Sequence, residues 1–250
     1  LTRRDGVLKV TGQARYAADN HPAGMLYAVL AVSSIARGRV TFLDLDAAKR
    51  HPGVVDVMTP AHKPKLAMDP DAKTNPFMFR LDLLQNDEVR YVNQPIAVVI
   101  AETLEAATEG AALLAPKYDE RPARVGLDGD ESFTPRAVGV GNPASAAHGD
   151  VKAGYAAAAH RVEATYETPA QYHNAMEPHA IVAEWDGDKL SIDTPTQGLA
   201  IAQGRIAGLF GMPFENIHIR SPFLGGGFGS KGLIPGPQIL GAMAANLIGK

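Results

Sequence analysis

Apolar and polar positions along the chain fall into short runs with two different periods. Residues 1–24 are polar and turn-rich, with turn signals at Val10–Ala14 and at Asn20-His21-Pro22. Met25 to Ser33 is then an apolar run that predicts a buried strand, and Arg39 to Leu43 a second, shorter one. Asp44 or Asp46 is placed to cap a short helix through Arg50, stopped by His51-Pro52-Gly53, and Val54 to Met58 predicts another strand. Residues 59–90 read as loop, because Pro60, Pro64, Pro70 and Pro76 break any period. Ile96 to Ala101 is apolar at every position, the pattern of a strand covered on both faces. Thr103 caps a helix that runs to about Ala115 and is closed by Pro116. These elements predict a compact α+β unit over about residues 20–125.

Residues 121–149 carry prolines and glycines without apolar period and read as a linker. Beyond them, Gly149 to His160 suggests a short helix, and the alternation from Val162 to Thr168 predicts a strand. Ala180–Trp185 and Lys189–Thr194 predict an antiparallel pair around Asp186-Gly187-Asp188. Leu199–Phe210 is a helix with Ile201, Ile206 and Leu209 on one side, ended by Gly211-Met212-Pro213. Ile217–Arg220 is a short strand, and a last helix runs from about Pro237 to Ile248.

Composition narrows the chemistry. The 250 residues are 46% hydrophobic and 20% charged, with a net charge of -3, so no basic face for nucleic acid is implied. There are 0 cysteines, which excludes disulfides, a thiol nucleophile and thiolate ligation of zinc or iron–sulfur clusters by this chain. No apolar run approaches the ~20 residues of a membrane-spanning helix. The start at Leu1 and the stop directly after a helical pattern lead us to expect a piece of something larger.

The stretch Ser221 to Lys231 holds glycine at four of the five positions 225–229, with Phe228 among them. So many glycines raise the backbone entropy lost on folding, and are tolerated where the chain turns sharply or a ligand touches its backbone. Gly227-Phe228-Gly229-Ser230-Lys231-Gly232 formally matches the dinucleotide fingerprint G-x-G-x-x-G, but the ribose-binding acid about 20 residues on would fall beyond Lys250. The phosphate-loop pattern fails, since Ser230 separates Gly229 from Lys231. Two readings stay open: backbone N–H groups that hold anionic oxygens, or a tight turn built for close packing. Tyr172 to His179 places His173, Glu177 and His179 near one another, yet matches no familiar zinc spacing, and Pro178 prevents helical stacking of the histidines. That segment reads either as a structural turn or as the lining of a site. Gln197, between a strand and a helix, is a neutral amide placed to reach a ligand, with Thr196 as a helix cap beside it. No Ser–His–Asp or paired-carboxylate arrangement stands out.

Taken together, these residues resemble the molybdenum hydroxylases, the xanthine dehydrogenase and aldehyde oxidoreductase family. Gly225-Gly226-Gly227-Phe228-Gly229-Ser230-Lys231 is similar to that family's G-G-G-F-G-G-K loop. The likeness extends through Lys9–Tyr16, Gly149-Asp150-Val151, Met176-Glu177-Pro178-His179, Gln197, Phe210–Pro213 and Asn216–Ile219, and so covers essentially the whole chain. It implies a small α/β hammerhead domain with an entry segment (1–125), a linker (126–148) and the beginning of a mixed α/β molybdopterin-binding domain (149–250). It implies molybdenum held by the dithiolene of molybdopterin, simple or as the cytosine dinucleotide, with no metal ligand from this chain. Gln197 matches the glutamine that hydrogen-bonds an oxygen ligand on molybdenum, and counts as the catalytic residue here. Gly226, Gly227, Phe228 and Gly229 match the loop that passes over the cofactor. Ser230 departs from the usual glycine.

The implied reaction is oxidation of an aldehyde or N-heterocycle with water as oxygen source, more of the aldehyde than the purine type. Electrons would leave through 2Fe-2S clusters and FAD on an iron–sulfur subunit and an FAD subunit. The family's catalytic glutamate has no counterpart here, and Glu177 is not a substitute for it, so these residues alone would not turn over. Two alternatives stand beside this reading: an NAD- or FAD-dependent oxidoreductase using the glycine loop, and a non-catalytic assembly module. We expect a cytoplasmic protein, with the bacterial periplasm reached only through export with a partner subunit.

Overall fold

The computed structural model describes residues 3–68, 81–126, 133–135, 137–138 and 142–250. Pro70 and Pro76 of the expected loop, and Gly129, Gly139 and Gly141 of the expected linker, lie outside the described residues. The elements in chain order are α1 (Gly6–Val10), β1 (Tyr27–Val32), β2 (Gly38–Phe42), α2 (Leu45–Arg50), β3 (Val54–Met58), β4 (Glu88–Val89), β5 (Pro95–Ala101), α3 (Leu104–Leu113) and β6 (Lys117–Glu120). They continue with β7 (Ala137–Val138), β8 (Asn142–Pro143), α4 (Val151–Ala157), β9 (Val182–Asp186), β10 (Lys189–Asp193), α5 (Leu199–Phe210), β11 (Ile217–Arg220) and α6 (Gly236–Ile248).

The apolar run at 95–101 becomes the centre of the first sheet. All seven residues of β5 are buried, and the strand lies between β1 and β3, antiparallel to both. Helix α3 starts where Thr103 Oγ1 accepts the Ala106 N–H at 3.1 Å, and it packs on β1 and β5. Gly110 makes the approach to the sheet possible, since a Cβ there would lie 3.1 Å from Val99 Cγ1 on β5 and 2.8 Å from Val54 Cγ2 on β3. Asp44 caps α2 by accepting the Ala47 N–H at 2.9 Å. A second sheet runs β4–β2–β6.

The third sheet orders β9–β10–β11. β9 and β10 form the expected hairpin, with Gly187 at φ 61 in the turn. β10 and β11 are parallel, so α5 serves as the crossover between them. Gly211, at φ 67, ends α5 in the left-handed conformation that favours glycine.

Both halves of the chain share one core. Met58, Val98 and Ile100 pack in the same cluster as Leu190, Ile192, Ile206, Leu209, Ile239, Leu240 and Met243. Helix α6 spans the junction, packing on β9 and reaching β5 and β1, and the Trp185 indole N–H donates to the Ala242 carbonyl at 3.0 Å. The stretch expected to be loop contributes Leu81, Leu83 and Leu84 to this core, all nearly or fully buried. It passes so close to the start of α6 that a Cβ on Gly236 would lie 2.1 Å from the Leu81 carbonyl oxygen. Backbone cannot yield there as a flexible side chain could. Gly236→Ala is therefore expected to destabilise the fold by about 2–3 kcal/mol, read as a lower denaturation midpoint; an unchanged midpoint would refute the close approach.

Several expectations are corrected. Val162 to Thr168 forms no strand. Val162 and Tyr166 are 83% and 89% exposed, and no strand among the described residues runs beside them, so the alternation has no ladder to join. α1 forms where only turns were expected. β4 and β6 were not anticipated: β4 is two residues long, and β6 is Lys-Tyr-Asp-Glu, with Tyr118 alone turned inward. The expected linker contains the short β7–β8 pair.

Candidate functional site

The carboxyl ends of the two parallel strands, β10 and β11, carry the candidate residues. Asp193 and Arg220 are register partners there, joined by an Nε–Oδ1 bond of 2.7 Å. The Asn20 amide also donates to Asp193, which ties the N-terminal segment to this edge. β10 continues through buried Thr194, Pro195 and Thr196 to Gln197. β11 continues into the glycine loop. Ligands of α/β sheets commonly sit outside such strand ends, because the backbone turns away there and leaves donors unpaired.

Two strands of chain are laced together at this point. The Gln197 N–H donates to the Lys231 carbonyl at 2.8 Å, and Thr196 Oγ1 donates to the same carbonyl at 3.3 Å. The Thr196 N–H donates to Ser221 Oγ at 3.2 Å, and Thr196 Oγ1 accepts the Gly198 N–H at 3.1 Å. Thr196 thus fastens the turn before α5, while the cap position itself is Gly198.

The loop needs its glycines for identifiable reasons. A Cβ on Gly227 would lie 2.5 Å from Gln197 Oε1, and one on Gly225 would lie 2.5 Å from Glu177 Cβ. Gly226 and Gly229 have φ of 94 and 104. Phe228 is also left-handed, at φ 51, although it carries a bulky side chain that is 72% exposed. A non-glycine residue in that conformation stores roughly 1–2 kcal/mol, so the surrounding bonds must hold it. The Ser230 N–H and Oγ both donate to the Gly227 carbonyl, at 2.9 and 2.8 Å, and the Gly232 N–H donates to the Gly229 carbonyl at 3.0 Å. Ser230 therefore closes the turn with a bond that glycine could not make.

The donor pattern is the chemically informative part. Gln197 Oε1 accepts the Gly229 N–H at 2.9 Å. This sets the orientation of the amide and leaves Nε2 as the outward group. Among the described residues, neither Gln197 Nε2 nor the N–H groups of Gly226, Gly227 and Phe228 donate to a protein acceptor. A side-chain amide packed on a loop with a run of undonated backbone N–H groups offers the kind of donor an anionic oxygen ligand takes, as neighbouring unpaired N–H groups form anion-binding concavities.

The segment 172–179 lies against this loop but does not converge into a metal-ligand group; no such group occurs among the described residues. Glu177 is taken up by the loop, its Oε2 accepting the Gly225 N–H at 2.8 Å and a hydrogen bond from Lys231 Nζ at 3.0 Å. Lys231 Nζ also donates to the Glu177 carbonyl at 2.7 Å, and the Lys231 side chain is 0% exposed. Burial pushes the His179 ring below the ordinary imidazole range, with the polar side chain of Gln238 opposing. His173 stands beside Gly229, where a glycine Cβ would lie 3.6 Å from its Nε2. The buried Glu177–Lys231 pair was missed in sequence, where the partners are 54 positions apart and no spacing rule connects them.

The dinucleotide reading does not survive the geometry. Leu233, Ile234 and Pro235 separate Gly232 from the start of α6, so the loop does not open a helix as the fingerprint requires. Lys231, which a phosphate loop would present to its ligand, is instead buried on Glu177.

Comparison with known proteins finds two family models along the chain. Residues 11–122 match the "Aldehyde oxidase and xanthine dehydrogenase, a/b hammerhead domain" family, and residues 134–250 match the "Molybdopterin cofactor-binding domain" family. The aldehyde oxidoreductase molybdenum-binding subunit PaoC of Escherichia coli (strain K12) is 37% identical over 248 residues, covering 98% of this chain and 33% of that protein. The 6-hydroxypseudooxynicotine dehydrogenase complex subunit gamma of Paenarthrobacter nicotinovorans is 29% identical, over 100% of this chain and 33% of that protein. Quinoline 2-oxidoreductase from Pseudomonas putida 86 superposes with a TM-score of 0.81 at 26% identity, over 100% of this chain and 33% of that one. The chain thus spans about a third of the length of these relatives.

A hammerhead unit followed by molybdopterin-binding sequence defines a class, chains that pair these two domains. The chain belongs to the molybdenum hydroxylase family, that of the aldehyde oxidoreductases and xanthine dehydrogenases.

Proposed function

We propose that this chain forms one wall of the molybdenum cofactor site in a hydroxylase that oxidises aldehydes or N-heterocycles. Residues 1–125 are the hammerhead domain with its entry segment, 126–148 the linker, and 149–250 the start of the molybdopterin-binding domain. The observation that carries the reading is the set of donors without a protein acceptor on the glycine loop and the side chain packed against it: the N–H groups of Gly226, Gly227 and Phe228, and the Nε2 of Gln197, whose Oε1 takes the Gly229 N–H and lies where a Cβ on Gly227 would strike it. When bound, the molybdenum cofactor supplies two-electron oxidation of a substrate carbon, with oxygen taken from water.

The residues of this chain bind and orient. Gln197 donates from Nε2 toward an anionic oxygen, and the Gly229 N–H on its Oε1 keeps the amide from turning over. Gly226, Gly227 and Phe228 offer backbone donors that are already fixed, so no reorganisation is needed when negative charge develops nearby. A neutral amide does this without adding a charge of its own. Glu177 is engaged by the loop itself, with Lys231 and Gly225 both bonding its Oε2. Partner subunits carrying 2Fe-2S clusters and FAD would supply the route for electrons; no helix among the described residues is long and apolar enough to cross a membrane.

The full-length protein tests this directly. Metal analysis is expected to find about one molybdenum per chain, with pterin fluorescence after oxidative release. Bound NAD or FAD on this chain, with no molybdenum or pterin, would overturn the reading.

A further inference from the structure

The buried Glu177–Lys231 pair has a role beyond packing. Glu177 is bonded to both ends of the glycine loop. At one end its Oε2 accepts the Gly225 N–H at 2.8 Å, and its own N–H donates to the Gly225 carbonyl at 3.0 Å. At the other end it receives Lys231 Nζ on Oε2 at 3.0 Å and on its carbonyl at 2.7 Å. Lys231 in turn uses its own carbonyl to hold the Gln197 N–H at 2.8 Å. One glutamate and one lysine thus connect the 176–179 segment, both feet of the loop and the backbone of Gln197.

We infer that Glu177 and Lys231 are positioning residues: a clamp that holds Gly226–Gly229 at a set height over Gln197 and so presents the donors to the cofactor. The inference rests on the proposed function for the word cofactor, but not for the clamp. Three features favour this role over one of plain stability. The Lys231 side chain is 0% exposed and the Glu177 side chain 8%, and a buried ion pair of this kind is often replaceable by apolar residues without loss of stability. Glu177 Oε1 is buried without a hydrogen-bond partner, so the pair is not arranged for the greatest stability. Phe228 sits in a left-handed conformation at the top of the loop, and a strained residue persists only where the surroundings over-determine it.

Either single apolar substitution would strand a buried charge and endanger folding, so the test uses Glu177→Leu/Lys231→Met, which removes both charges together. In the cofactor-free full-length protein, amide exchange over residues 222–232 is expected to quicken about tenfold, with the thermal transition and exchange in β10 and α6 unchanged. Loop exchange equal to wild type would overturn the clamp. So would loosening that spreads through β10 and α6, which is what a purely structural pair would give. In the loaded protein, the double variant is expected to hold severalfold less molybdenum and to show an altered Mo(V) resonance spectrum; wild-type content with a wild-type spectrum would overturn the positioning role. A wild-type protein that takes up no molybdenum would refute the proposed function instead, and the exchange result would still decide the clamp.

Discussion

Gly227→Val is expected to lower the molybdenum content of the full-length protein at least about tenfold while leaving most of its fold intact. The reason is local. A single Cβ at this position already comes within 2.5 Å of Gln197 Oε1 and 2.6 Å of its Cδ, and valine adds two methyl groups. Gln197 is exposed and can swing away. Doing so breaks the bond from the Gly229 N–H and removes Nε2 from the loop. If Gln197 stays, the loop must move instead and the backbone donors leave their places. Either response dismantles the donor set, although the core beneath, built on Ile192, Ile206 and Ile239, is untouched. Metal analysis and a thermal melt on the same sample separate the two effects. Gly154→Ala is the control, because a Cβ there meets nothing within 4 Å. Wild-type molybdenum content in Gly227→Val would sink the loop assignment.

What was legible in sequence was whatever depends on neighbours along the chain. The apolar run at 96–101 announced a strand covered on both faces, because only such a strand has no polar face to show. The density of glycine at 225–229 announced close approach, and Gly225 and Gly227 each lie against a side chain that a Cβ would strike. What was not legible depends on partners brought in from elsewhere. Val162 to Thr168 has the alternation of a strand, but alternation describes one face of a ladder and cannot supply the other strand. β6 is charged at three of its four positions and exists because β2 lies beside it. Lys231 fails the phosphate-loop spacing, and no spacing rule joins it to Glu177, its buried partner 54 positions away. Gln197 was visible as a neutral amide, yet which of its two ends faces outward follows only from the Gly229 N–H.

That orientation makes a pair of Gln197 variants more decisive than one. Gln197→Ala removes both the outward donor and the acceptor for Gly229, and is expected to lower turnover of the full-length enzyme about a hundredfold, the usual scale for one preorganised donor. Gln197 is exposed and lies outside the apolar core, so thermal stability should hold. Gln197→Glu keeps an oxygen for the Gly229 N–H but replaces the outward donor with a second acceptor bearing negative charge. Were Gln197 there only to brace the loop, this variant would work nearly as well as wild type. On the donor reading it is expected to be at least as damaging as alanine, because it sets a carboxylate against an anionic oxygen. The ratio of the two turnover numbers, at matched molybdenum content, therefore reads out which end of the amide matters. Near-normal turnover in Gln197→Glu would refute the donor role.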